Sequence, residues 1–288
     1  MPSKSWALLV SVAAALSVTG AERRTDPTFL RRSLREAKEV LSDVTTATCR
    51  YRPLFGEGDP DASAPRGIAR FGELTLSPGG ASAVVAYERE EQVYVVLEGE
   101  GSVRYGDTTH PVRAGDFLYL PPTVRHGLVA SEEKSCRAIV MGFRIPSKLA
   151  LEAPPALLIA NIGDVPKQTV GSHPSSTLYQ LLMGSVSSQR DRLAAARVLT
   201  SLFIMEFLPS GTNAPHHHDR EEEIYFVLSG QGQMVAGGGL DGIEGRHPAQ
   251  AGDAYFFRLN CTVGFYAGDA AGRERARILA VRSLYPFP

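Results

Sequence analysis

The chain reads as an all-β protein made of two similar barrels or sandwiches in tandem. Three observations predict this. From about residue 70, runs of 5–9 residues rich in Val, Tyr, Phe and Leu follow one another, separated by Gly, Pro or charged turns. The 28 glycines and 19 prolines supply the turns such a chain needs. The runs also fall into two series that repeat each other.

In chain order, residues 1–21 stand apart. Lys4 precedes the apolar run 6–18 (WALLVSVAAALSV), and the small residues Thr19, Gly20 and Ala21 follow. This three-part layout predicts a secretory signal cleaved after Ala21, and hence a secreted or periplasmic protein. The run is short and Ala/Ser-rich for a membrane span, and no other segment is apolar enough to cross one. Residues 22–68 form an extension. In it Asp26-Pro27-Thr28 reads as a helix start, and Leu30, Leu34, Ala37 and Leu41 recur at helical spacing. A short amphipathic helix is expected there, followed by a loop over 51–68.

The first series covers 69–145, with FGELTL, ASAVVAY, EQVYVVLEG, GSVRYG, DFLYL and RAIVMGF as strands. A connector spans 146–196. In it LLIANIGDVP reads as a strand and turn, and SSQRDRLAAARV as a place for a short helical turn. The second series covers 197–288, with TSLFIMEF, EEIYFVLSG, GQMVAGG, DAYFFRL, TVGFYAG and RARILAVRS.

The repeat is explicit. Residues 88–101 (EREEQVYVVLEGEG) and 219–232 (DREEEIYFVLSGQG) align without a gap and share 8 of 14 residues, at an offset of 131. A later pair, HPVRAGDFLYL (110–120) and HPAQAGDAYFF (247–257), aligns at an offset of 137.

Composition bounds the function. A net charge of −1 and the lack of a polybasic run exclude a strong electrostatic attraction to nucleic acid or anionic lipid. At 43% hydrophobic and 21% charged, the chain suits a folded protein with a sizeable core. Cys49, Cys136 and Cys261 lack metal-knuckle spacing, and they read as buried thiols or, in an oxidising compartment, as one bridged pair and a free thiol.

The stretch HHHDREEE (216–223) holds the candidate site. His216 and His218 are two apart, so on a strand they share a face, while His217 points away. After the turn at Asp219-Arg220, Glu223 and Tyr225 share the inward face of the next strand. Two imidazoles and a carboxylate make a set suited to one divalent ion, Fe2+ or Mn2+, with open positions for a small-molecule substrate, water or O2. Glu222 is the rival carboxylate, or with Tyr225 a proton carrier. Arg258, with Asn260 beside it, could clamp a substrate carboxylate or amide, or pair with a surface acid.

These motifs resemble the cupin superfamily in its two-domain, bicupin form. Gly211, His216, His218, Glu223 and Gly230 match its first motif in the second copy. Gly115, Asp116, Pro121 and His126 match its second motif in the first copy. The resemblance covers about 70–145 and 198–283, and it implies two jelly-roll barrels, a common home of metal-dependent enzymes. Opposite His216, His218 and Glu223 lie Val85, Tyr87 and Gln92, and opposite His126 lies Val263. A metal-free first barrel and a metal-binding second barrel are expected. The layout distantly resembles ureidoglycine aminohydrolase, which likewise has a metal only in the second barrel but uses a different ligand set. The expected function is a dioxygenase-type or hydrolase/lyase-type enzyme acting on a small carboxylate or amide. The alternative is a non-catalytic small-molecule-binding cupin. Homo-oligomers through sheet edges are a further expectation of the resemblance.

Overall fold

A computed structural model describes residues 28–151, 153–171, 173–238, 244–269 and 275–286. The leader expected over 1–21 lies outside these residues. Among the described residues no helix is long and apolar enough to cross a membrane.

The chain opens with β1 (Phe29–Ser33), β2 (Cys49–Gly56), β3 (Ile68–Leu76), β4 (Glu90–Glu98) and β5 (Glu100–Tyr105). Then come β6 (Thr108–Arg113), β7 (Asp116–Leu120), β8 (His126–Ala130), β9 (Cys136–Arg144) and β10 (Leu158–Asn161). The second half holds β11 (Thr177–Ser185), β12 (Leu193–Ala196), β13 (Leu199–Phe207), β14 (Glu221–Ser229) and β15 (Gln231–Gly237). It ends with β16 (Glu244–Gln250), β17 (Asp253–Phe257), β18 (Thr262–Ala267) and β19 (Arg277–Leu284). Each barrel is a large sheet facing a small one: β10-β7-β4-β9-β3-β2 with β6-β5-β8, and β1-β17-β14-β19-β13-β11-β12 with β16-β15-β18. This is the jelly-roll architecture that the cupin resemblance implies.

The two large sheets pack face to face. Phe55, Phe71, Val93 and Phe117 of the first meet Ile204, Ile224, Phe226 and Phe256 of the second in one buried cluster. Phe55 lies 5.9 Å from Phe256, and Phe71 lies 6.2 Å from Phe226, ring centre to ring centre. The other face of each large sheet fills a barrel interior. A central strand such as β14 is therefore buried on both sides, which is why IYFVL reads as a continuous apolar run rather than an alternation.

Several segments depart from the sequence reading. The expected N-terminal helix is strand β1 and a turn over its described part. Leu30 and Leu34 are four residues apart, an even number, so they share a face in a strand as well as in a helix. Hydrogen bonding to the open edge of β17 decides between the two. The segment read as a loop from 51 contains β2, whose Pro53 is tolerated because it sits on an edge strand beside a register shift. ASAVVAY is not a continuous strand, because it makes only single bridges, at Ala81 and Val85. The connector holds β11, and β12 stands where a short helical turn was expected over 187–198, because it pairs in parallel with β11.

The barrels exchange strands. β1, which precedes the first barrel, pairs with β17 of the second, and β10 pairs with β7 of the first. Each exchanged strand also bonds the aspartate of a Gly-Asp motif, Arg31 to Asp253 at 3.2 Å and Asn161 to Asp116 at 2.7 Å.

A second reciprocal lock lies deeper. Glu222 accepts backbone N–H bonds from Arg66 (2.8 Å) and Gly67 (2.7 Å), which lead into β3 of the other barrel. Its repeat counterpart Glu91 accepts from Arg197 (2.7 Å), Val198 (3.0 Å) and Leu199 (2.8 Å), and from the Tyr119 hydroxyl (3.0 Å). Both carboxylates are fully buried. The glutamates shared by the two copies therefore fasten the barrels together.

Candidate metal centre

The mouth of the second barrel brings together His216, His218 and Glu223. One ligand-type atom from each lies within 4.8 Å of the other two. His216 reaches inward from a bridge with Val263, after Ala214 has taken a left-handed φ of 56°. Its Nδ1 bonds the Ala214 carbonyl at 3.0 Å and so carries the proton, which leaves the Nε2 lone pair free. Burial holds the His216 pKa below the usual value, so the ring is neutral at pH 7. The His218 ring stands 5.0 Å from it, nearly perpendicular. His218 Nε2 lies 3.3 Å from Glu223 Oε2. His217 is exposed.

The donor set fits a divalent cation. His218 Nε2 and Glu223 Oε2 are both buried and neither has a hydrogen-bond partner, although they lie 3.3 Å apart. Two such orphans are costly unless a third, positive partner belongs between them.

A small cavity of about 80 Å³ opens over these residues. Tyr225 forms part of its wall, as inward alternation predicts, and its hydroxyl accepts a 3.0 Å bond from Asn213 Nδ2. Burial first, and then the Glu223 charge, push its pKa well above the usual value, so Tyr225 stays protonated.

Glu222 and Arg258 do not join the site. Glu222 is one residue out of phase with Glu223, so it faces the first barrel, in the lock described above. Arg258 is absent from the cavity wall, and its backbone N–H donates to the Thr28 carbonyl at 2.9 Å. Asn260 adopts a left-handed φ of 60°, as Thr123 does at 69° in the matching turn of the first copy. A left-handed position of this kind favours glycine, and Asn260 tolerates it.

The cavity has other polar residues that the sequence reading missed. Arg282 sits opposite Glu223 on the neighbouring strand, with Nε 3.9 Å from Glu223 Oε1 and Nη1 3.3 Å from Glu221 Oε2. Arg190 reaches the Ser201 hydroxyl at 3.4 Å. The Tyr179 hydroxyl is buried without a partner, and burial, then Glu223, raises its pKa. His173 enters from the connector.

Register explains part of this. Arg70 pairs with Gly142 in the first barrel, and Ser201 pairs with Arg282 in the second. The guanidinium has changed strands within one equivalent pair. In the first barrel Arg70 is buried, bonds Asp43 at 2.9 and 3.1 Å and Glu57 at 2.6 Å, and lies 4.6 Å over the Tyr87 ring. The first barrel thus holds a buried, fixed cation at this place. His126 is fully buried there, donates Nδ1–H to the Val124 carbonyl at 2.9 Å, and has its pKa pushed down by burial to about 4.

The family of the fold is shown by comparison. The cupin domain model matches residues 72–142 and 203–282, together more than half of the chain. The chain belongs to the cupin family, in a two-barrel form. Residues of this chain are also 35% identical over 96 positions to dimethylsulfoniopropionate lyase DddW of Ruegeria pomeroyi. That match covers 32% of this chain and 57% of the relative, so the chain spans little more than half the length of that curated protein.

Three solved structures share the whole architecture. A putative glyoxylate-induced protein from Pseudomonas aeruginosa superposes with a TM-score of 0.66 at 17% identity, over 84% of this chain and 82% of its own. Protein Ylba from E. coli gives 0.65 at 16%, over 90% and 92%. Oxalate decarboxylase of Lactobacillus farciminis gives 0.65 at 14%, over 90% and 86%. At these identities they establish the fold.

Proposed function

We propose that the chain is a metal-dependent lyase acting on a small carboxylate-bearing metabolite, with one divalent ion, Fe2+ or Mn2+, held by His216, His218 and Glu223. The observation that carries this reading is the pair of buried, unpartnered atoms His218 Nε2 and Glu223 Oε2 only 3.3 Å apart. A bound divalent ion supplies Lewis acidity to a coordinated substrate oxygen.

The chain's own residues bind and orient the substrate. Arg282 and Arg190 line the cavity and match a substrate carboxylate in charge and in the planar fork of their donors. Arg282 is held in place by Glu221 and Glu223, and so is preorganised. Tyr179 Oη, unpartnered and protonated, donates to a substrate oxygen. Tyr225 Oη accepts from Asn213, which leaves its own proton for a second acceptor. Phe203 and Leu181 exclude water from the inner wall.

The 35% identity to a dimethylsulfoniopropionate lyase supports elimination as the reaction and a β-substituted propionate as the substrate class. The Tyr179 ring in the cavity wall suits a cationic substituent of the substrate, whereas the Phe203 ring already has the Arg282 guanidinium 5.7 Å from its centre. A second reading, the dioxygenase, is favoured by the 2-His-1-carboxylate donor set itself.

The test is turnover by the metal-loaded chain of a panel of small carboxylates that includes dimethylsulfoniopropionate and oxalate, with dissolved oxygen followed. Product formed without oxygen uptake supports the lyase. Stoichiometric oxygen uptake supports the dioxygenase. A chain that takes up neither metal nor substrate overturns both.

A further inference from the structure

The second barrel lacks one imidazole. Val263 stands where the first barrel has His126, and it bridges His216 directly. The three-residue donor set is therefore open on one side. A third imidazole lining the same cavity, His173, comes from outside both repeated motifs.

Residues 168–171 and 173–179 belong to a strap beside the cavity of the second barrel. Gln168 bridges Tyr179 at its base, as Val40 bridges Tyr51 in the first barrel, at a common offset of 128. The two straps are thus equivalent, though their sequences differ. In the first barrel the strap sends Asp43 inward to bond Arg70 and Tyr87. In the second, Thr45 is replaced by His173, which lines the cavity.

His173 is oriented as a ligand. Its Nδ1 donates to the Asn213 carbonyl at 2.6 Å, so Nε2 carries the lone pair. His216 uses the same device, with Nδ1 on a backbone carbonyl and Nε2 free. A backbone carbonyl on the far nitrogen is the usual support of a metal-bound imidazole. Asn213 is itself buried and fixed, by Phe265 N–H on Oδ1 (2.8 Å) and by Nδ2 on Tyr225.

The spacing agrees. His173 and His216 stand 5.2 Å apart, ring centre to ring centre and at 70°, against 5.0 Å for His216 and His218. An imidazole nitrogen about 2.1 Å from a metal puts its ring centre about 3.2 Å away, so two rings on one ion at roughly 90–110° have centres roughly 4.6–5.3 Å apart. His173 lies outside the set whose ligand atoms are all within 4.8 Å of one another. Its Nε2 would have to move inward to join them, and a Cβ added at Gly171 (φ 53°), two residues before it, would meet open space.

We infer that His173 is the fourth protein ligand of the second-barrel metal, a third imidazole delivered by the strap in place of the one lost at Val263. This rests on the reading of a metal at His216, His218 and Glu223. It also ties the connector to the site, so the strap cannot lift without loosening the ion.

The experiment loads the full chain with Mn2+ and counts directly bound nitrogens by pulsed EPR, alongside a metal titration. Wild type is expected to show three imidazoles. His173→Ala is expected to show two and to bind Mn2+ more weakly, on the order of 10–100-fold. His173→Ala/Val263→His is expected to regain the third nitrogen. Two imidazoles in wild type, or an unchanged count in His173→Ala, overturns the inference and leaves the three-ligand reading standing. A wild-type chain that binds no Mn2+ and no Fe2+ overturns that reading as well.

Discussion

Replacing Glu222 by Ala separates an inter-barrel lock from a catalytic carboxylate. The change removes the acceptor for three backbone N–H groups, those of Arg66, Gly67 and Ile68. Arg66 is exposed, so its N–H finds water, while Gly67 and Ile68 are buried. Each buried orphan costs about 1–3 kcal/mol, so the gross loss is about 2–6 kcal/mol. Removing a fully buried carboxylate offsets part of this, because burial pushes its pKa up against the three donors. The net loss is about 2–4 kcal/mol. Glu222→Gln keeps the shape and one acceptor oxygen, and is expected to lose about half as much. Urea unfolding followed by circular dichroism measures the loss, and metal content and turnover of the folded variant should stay at wild-type values. A variant with wild-type stability and abolished turnover would place Glu222 in the chemistry and refute the lock.

Three further outcomes follow from the same geometry. Burial depresses His126 to about 4, so between that value and the unfolded value near 6.5 the unfolded chain binds more protons. Stability therefore falls as pH drops through this window, by about 3 kcal/mol, and His126→Val should flatten the dependence in unfolding measured from pH 7 to pH 4. Tyr179→Phe should lower kcat by roughly 100-fold with metal content unchanged, as steady-state kinetics and metal analysis would show, and an unchanged kcat removes Tyr179 from the chemistry. Cys49, Cys136 and Cys261 are buried and outside any disulfide, and burial pushes Cys49 up to about 12 and Cys136 up to about 11. Mass spectrometry should find no alkylation by iodoacetamide in the native chain and three adducts after unfolding.

The triad was legible because its spacing obeys strand alternation, which is local. His216 and His218 share a face, and Glu223 follows one turn later. The repeat made the histidines informative, since Val85 and Tyr87 stand in their places in the first copy. Glu222 was misplaced because adjacent glutamates differ only in phase, and the surface that captures Glu222 belongs to another barrel. Arg282 and Ser201 belong to strands far apart in sequence, and only the register of β13 with β19 reveals that they trade places with Gly142 and Arg70. His173 and Tyr179 sit in a connector with no hydrophobic period to announce it. The terminal segment read as a helix because a four-residue spacing serves both periods, and strand exchange is a tertiary event.

The most direct test of the central claim is the metal stoichiometry of the purified chain. One Fe2+ or Mn2+ per chain is expected, lost in His216→Ala and Glu223→Ala and kept in His126→Val. Metal at background levels in the wild type, or one ion per chain retained in His216→Ala and Glu223→Ala, would contradict a second-barrel metal centre.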